Sequence, residues 1–206
     1  MLSLMWIIKF MEFFFDADFK NFGILPRQIE GLSGIISSPF IHGNFKHLVN
    51  NSMPFFFLFT AIRYFYPENS FTILLFLWMI SGLSVWLGAR TAWHIGASGL
   101  VYASFSFLFF SGIRSKDKRL ISISLLVFFL YGGMIWGIFP QEGNISWESH
   151  LFGFLTGFIA AFLFGTPPER TTVEEIFTDK DDFINFDNSY EKDVNIEYNF
   201  RETNEE

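Results

Sequence analysis

Phe71-Thr-Ile-Leu-Leu-Phe-Leu-Trp-Met-Ile-Ser-Gly-Leu-Ser-Val-Trp-Leu-Gly-Ala89 is a 19-residue run without one charged side chain. A bilayer's hydrocarbon core is about 30 Å thick and takes about 20 apolar helical residues to cross. The run reads as a transmembrane helix. Working outward, similar stretches occupy His47–Tyr66, Gly96–Ile113, Leu120–Phe139 and Trp147–Gly165, and a shorter one, Leu2–Phe15, opens the chain. Pro54 lies inside one of them, where membrane helices tolerate it. The expected fold is all-α: a polytopic membrane bundle of six transmembrane helices over residues 1–165.

The composition agrees. Half of the 206 residues are hydrophobic, 31 of them Phe, and charged residues make up only 17%, against roughly 25% in an ordinary soluble domain. Residues 166–206 hold 13 of the 21 acids and 4 of the 14 bases, which leaves 8 acids and 10 bases for the first 165 residues. That is too little charge to cover a water-facing surface. The acidic pI belongs to the tail, whose low hydrophobicity and high charge read as a disordered cytoplasmic segment. The chain has no Cys, which excludes thiol catalysis, disulfides and Cys-ligated metal centres. No cofactor, metal or nucleic-acid partner is expected.

The opening stretch is short. Fourteen residues make about 21 Å of helix, and this one carries Lys9 and Glu12. Two readings stay open: a natural start upstream of Met1, or tilting with local thinning of the bilayer. Orientation follows from the bases. Arg114-Ser-Lys116-Asp-Lys118-Arg119 packs four bases into six residues, whereas Pro140–Ser146 has none. A cytoplasmic basic loop puts both termini inside and the segment Asp16–Lys46 outside. The second, fourth and sixth helices then begin together near the outer face.

Polar groups inside a membrane are costly and face the bundle interior or a wet cavity. Those three outer ends are rich in them. The second helix opens on His47-Leu-Val-Asn50-Asn51, the fourth on Gly96-Ala97-Ser98-Gly99, and the sixth on Ser149-His150. All four histidines of the chain (42, 47, 94 and 150) lie in this zone. Singly, each piece has a plain structural explanation: small residues let membrane helices approach closely, and His47 with Asn51, four apart, share a helix face for interhelical hydrogen bonds. Gly153-x-x-x-Gly157 would seat the sixth helix on the fourth and bring His150 near Ser98. Jointly they assemble a reaction. A serine needs an adjacent base to attack a carbonyl, and the oxyanion that forms needs aimed donors. The Ala97 and Ser98 amides, unpaired at a helix start, and the Asn51 and His47 side chains are candidates. Glu148 is expected to face solvent, which leaves a Ser–His dyad.

Together, His42-x4-His47-x3-Asn51, Gly96-Ala97-Ser98-Gly99-x2-Tyr102 and His150-x2-Gly153-x3-Gly157 resemble the rhomboid intramembrane serine proteases over about residues 34–165. The resemblance implies Ser98 as nucleophile, His150 as general base, and Asn51 and His47 lining the oxyanion hole. It further implies that Tyr102 stacks on His150 and that Gly96, Gly99, Gly153 and Gly157 support the packing. The implied activity is endoproteolysis of transmembrane substrates near the outer face of a membrane, expected to be a bacterial inner membrane. The chain departs from some members at Pro26-Arg27, where they carry Trp-Arg, and at Ser149, where Ala is common. The competing functions are a non-catalytic binder or escort of client helices, and a channel using the outer polar cluster. A channel lacks ionisable groups to continue a path through the inner halves of the helices.

Overall fold

Long apolar runs become long helices because every backbone polar group can be paired within one segment. A computed structural model describes residues 1–130, 136–140 and 146–166. Its helices are α1 (Leu2–Phe14), α2 (Gly34–Ser37), α3 (Phe45–Phe65), α4 (Ser70–Gly88), α5 (Ser98–Ser115), α6 (Lys118–Leu130) and α7 (Trp147–Phe164). Among the described residues there is no strand, only an isolated bridge between Ile24 and His94. The protein is all-helical. The acidic tail, apart from Thr166, lies outside the described residues, as does most of the Pro140–Ser146 connection. By length and mean hydropathy, 1.9 and 1.3, α4 and α7 are the described helices apolar enough to cross a membrane.

The fifth apolar stretch differs from expectation. Within Leu120–Phe139, α6 is described as far as Leu130, and Trp136–Ile138 is a 3-10 turn rather than α-helix. The fourth stretch begins its helix at Ser98, two residues later than expected, and the second begins at Phe45, two earlier. In the second, the Asn44 side chain accepts from the His47 amide at 2.8 Å, and an N-cap of this kind starts the helix ahead of the apolar run.

The buried core joins α3, α4, α5 and α7 through Phe55, Leu58, Ile62, Leu77, Phe107 and Ala160. Two sets of contacts mark the ends of this bundle. At one end the Ile24 and His94 backbones exchange hydrogen bonds of 2.9 and 2.8 Å, and Arg27 donates to the Ala89 carbonyl at 2.7 Å, closing the C-terminus of α4. At the other, the Tyr66 hydroxyl donates to the Gly165 carbonyl at 3.2 Å, and Arg114 donates to the Ala161 and Phe162 carbonyls at 3.0 and 2.6 Å. Hence α3, α5 and α7 run parallel, and their first turns meet.

Lys9 and Glu12 of α1 are paired. The ammonium lies 3.0 Å from Glu12 Oε2 and donates to the His42 carbonyl at 2.8 Å, while Glu12 Oε1 accepts from the Phe19 amide. Neither charge is left alone in an apolar setting, which is the arrangement that burial demands.

Candidate active site

Gly96 turns the chain into α5 with φ of +106°, a conformation that favours glycine. Space demands glycine as well. A Cβ there would lie 2.7 Å from His47 Cε1 and 3.4 Å from Asn51 Nδ2. Ala97 then caps the helix and Ser98 is its first residue. The Ser98 amide therefore has no partner within the helix.

Across from Ser98, α7 comes in at backbone contact. A Cβ on Gly153 would sit 2.1 Å from the Gly99 carbonyl oxygen, and one on Gly157 2.1 Å from that of Ala103. Gly99 itself faces the Ser149 carbonyl, 3.1 Å from where its own Cβ would stand. Ser106 ties the seam lower down by donating to the Phe154 carbonyl at 2.7 Å. The glycine spacing thus does what close helix packing needs. It places His150 Nε2 2.8 Å from Ser98 Oγ.

The histidine is held on two further sides. Its Nδ1 lies 2.8 Å from the Gly137 carbonyl oxygen. A carbonyl only accepts, so Nδ1 carries the proton and Nε2 turns its lone pair to the serine hydroxyl. The Tyr102 ring stacks on the imidazole, with centroids 4.3 Å apart and planes within 6°. Gly137 leaves no room for a side chain unless the tyrosine shifts: a Cβ would fall 2.1 Å from the Tyr102 hydroxyl oxygen.

On the α3 side, Asn51 is buried and its side-chain nitrogen has no hydrogen-bond partner in the protein. His47 is half-buried and lies beside Gly96 and the His42 ring, whose centroid is 5.0 Å from its own. The Ala97 amide, expected among the oxyanion donors, points at His42. It donates to His42 Nε2 in a long 3.4 Å bond. Burial, with help from His47, pushes His42 down to about 3, so its imidazole is neutral and keeps a lone pair for that amide.

Glu148 also departs from expectation. It is 4% exposed rather than solvent-facing, and Arg90 Nε lies 3.2 Å from its Oε1. The partner is 58 positions away in sequence, which no local pattern announces. Beside this pair, His94 is 2% exposed. Its Nδ1 hydrogen-bonds with the Ser146 hydroxyl and its Nε2 with the Arg90 carbonyl at 3.0 Å. Burial holds His94 below its usual range, partly offset by the Arg90 carbonyl and the Glu148 charge.

The structure therefore brings Ser98, His150, Tyr102, Gly99, Gly153 and Gly157 together on one seam, with Gly96, His47 and Asn51 facing it. Sequence reasoning misses Gly137, whose carbonyl orients His150, because residue 137 falls in an apolar run that reads as helix. It also misses what His42 and His94 contact, although their place in the outer zone is a signal.

Known proteins resemble this chain over most of its length. The Rhomboid domain family matches residues 30–167. An uncharacterized protein of Mycobacterium tuberculosis is similar at 30% identity over 177 residues, covering 82% of this chain and 74% of the relative. An uncharacterized protein of Mycobacterium leprae is similar at 29% over 188 residues, 86% and 74% of the two chains. YdcA of Bacillus subtilis, provisionally named a rhomboid protease, is 27% identical over 146 residues, 66% of this chain and 69% of its own. The matched family typically includes intramembrane serine proteases and consists of integral membrane proteins acting in the bilayer. The chain belongs to the rhomboid family.

Proposed function

We propose that this chain is an intramembrane serine endopeptidase that hydrolyses transmembrane segments of other proteins through a Ser98–His150 dyad. The observation that carries the reading is the 2.8 Å approach of Ser98 Oγ to His150 Nε2, with Nδ1 turned to the Gly137 carbonyl. As Ser98 Oγ attacks the substrate carbonyl carbon, its proton passes to Nε2. The same nitrogen returns the proton to the leaving amine, giving an acyl-serine, and a water attacks by the same route to release the acid. The Nδ1 proton stays on the ring throughout. The oxyanion is met by the Ser98 amide and by Asn51 Nδ2, a buried donor without a protein partner, with His47 beside them. Ala97, whose amide points at His42, shapes the turn instead.

The bundle is proposed to have six spans, with both termini and the acidic segment 166–206 cytoplasmic, so that the site opens outward and cleavage falls near the outer face. The alternative, a non-catalytic binder of client helices, has no need of a serine hydroxyl donating to a histidine whose other nitrogen is fixed. A fluorophosphonate probe distinguishes the two. The wild type is expected to be labelled, and Ser98→Ala and His150→Ala are not. An unlabelled wild type refutes the reading. For orientation, a cysteine placed at the exposed Thr91 is expected to react with an impermeant thiol reagent on intact cells. Labelling only after membrane disruption inverts the topology.

A further inference from the structure

The start of α7 carries the base of the proposed dyad, yet it is not held by its own cap. Ser146 occupies the N-cap position and makes no side-chain bond to the first amides of the helix. Its hydroxyl is spent elsewhere, on His94 Nδ1 on one side and on the Ser149 hydroxyl at 2.6 Å on the other. Ser149 is the residue before His150, and its carbonyl packs on Gly99, the residue after Ser98. His94 itself has nowhere to go. Its backbone is bonded in both directions to Ile24, and its second ring nitrogen meets the Arg90 carbonyl at 3.0 Å. A second strap joins the same two segments, Arg90 to the buried Glu148, whose charge needs a partner there.

We propose that His94 is a positioning residue: through Ser146 and Ser149 it clamps the first turn of α7 to the connection 89–97 and keeps the His150 ring in line with Ser98. The inference rests on the dyad reading above. The serine and the base come from helices that begin 49 positions apart, and the glycine seam sets their separation. Only the glycine face of α7 fits that contact, which stops a large rotation, but a small rotation of α7 about its own axis already swings His150 out of line. A bond from residue 94 to the first turn of α7 blocks that rotation. The hydrogen-bond direction is consistent: with Nε2–H donating to the Arg90 carbonyl, Nδ1 accepts from Ser146, which in turn accepts from Ser149.

The test uses the full chain in lipid bicelles with His94→Leu, His94→Asn, Ser146→Ala and the His94→Leu/Ser146→Ala double variant. With four histidines in the chain, imidazole nitrogen spectra can be assigned by single replacement. The wild type is expected to show His150 as one Nδ1–H form. In His94→Leu and in Ser146→Ala the His150 signals move toward the average of two tautomers. On a single-span reporter substrate kcat drops by about 10- to 10²-fold, the cost of a small misplacement, with KM little changed. His94→Asn keeps an acceptor for Ser146 and restores both readouts. The double variant matches the single ones, because all three remove one chain of bonds. Unchanged His150 signals in both His94→Leu and Ser146→Ala overturn the proposal, as does an equal loss in the Leu and Asn variants or an additive double variant. If the wild type cleaves nothing, the dyad reading fails by that result, and the His150 spectrum still decides the positioning claim.

Discussion

The two sides of the site are built by opposite means. Between α5 and α7 the backbones touch: Gly153 meets the Gly99 carbonyl and Gly157 that of Ala103. Both nitrogens of His150 are engaged there, one with Ser98 and one with Gly137. On the α3 side the contact is made by side chains across the space that Gly96 leaves, and Asn51 ends in a donor with no protein partner. A backbone seam fixes distance and leaves no slack, which suits a nucleophile and its base. A buried donor left unpaired is costly, and it is tolerable where charge develops during a reaction. In the proposed reaction the seam makes the attack, and the α3 side stabilises what the attack produces.

Breaking the seam side is expected to have the larger effect. Ser98→Ala and His150→Ala should each bring cleavage of a reporter substrate to background, with the double variant no worse than either alone, since the two act as a unit. A double variant much worse than both would separate their roles. Next comes Gly137→Ala, which puts a methyl on the Tyr102 hydroxyl. A displaced imidazole is expected to lower kcat by about 10²-fold with the protein still folded. Wild-type turnover there would leave Gly137 without a part in orienting His150.

The α3 side should give smaller changes. Asn51→Ala is expected to slow kcat by about 10- to 10²-fold, at or below the loss typical of one oxyanion donor, because His47 and the Ser98 amide share the load. Asn50→Ala, on an exposed face of the same helix, is the control and should leave kcat as it is. Equal effects at 50 and 51 would move Asn51 from chemistry to packing.

The smallest effect concerns stability and pH. His42 takes a proton near 6.5 when unfolded and not until about 3 when folded. Between those values the unfolded chain binds the extra proton, so stability falls as the pH falls through that window and is unaffected by His42 above it. Thermal unfolding in detergent at pH 7 and pH 4.5 is expected to show a steeper loss in wild type than in His42→Gln. The difference is bounded by about 1.4 kcal/mol per pH unit. Parallel curves would contradict a buried, neutral His42.

Much of this is legible in the sequence because the signals are local. Apolar runs mark the helices, the glycine spacing of 153 and 157 marks the seam, and its consequence, Ser98 meeting His150, follows. What escapes is non-local or hidden in apolar composition. The carbonyl of Gly137 is a backbone group, and the apolar run Leu120–Phe139 reads as helix through the 3-10 turn at 136–138. Glu148 looks solvent-facing because its partner Arg90 comes from another connection. The Ala97 amide looks available because helix starts leave amides unpaired. It is His42, held neutral by burial, that accepts its bond.

The central claim is that Ser98, activated by His150, cuts a peptide bond within the bilayer. Purified wild type and Ser98→Ala, each reconstituted in liposomes with a single-span reporter, test it most directly. The expected result is a new N-terminus within or beside the reporter's span for the wild type and intact reporter for Ser98→Ala. Intact reporter with both, or equal cleavage by both, would contradict it.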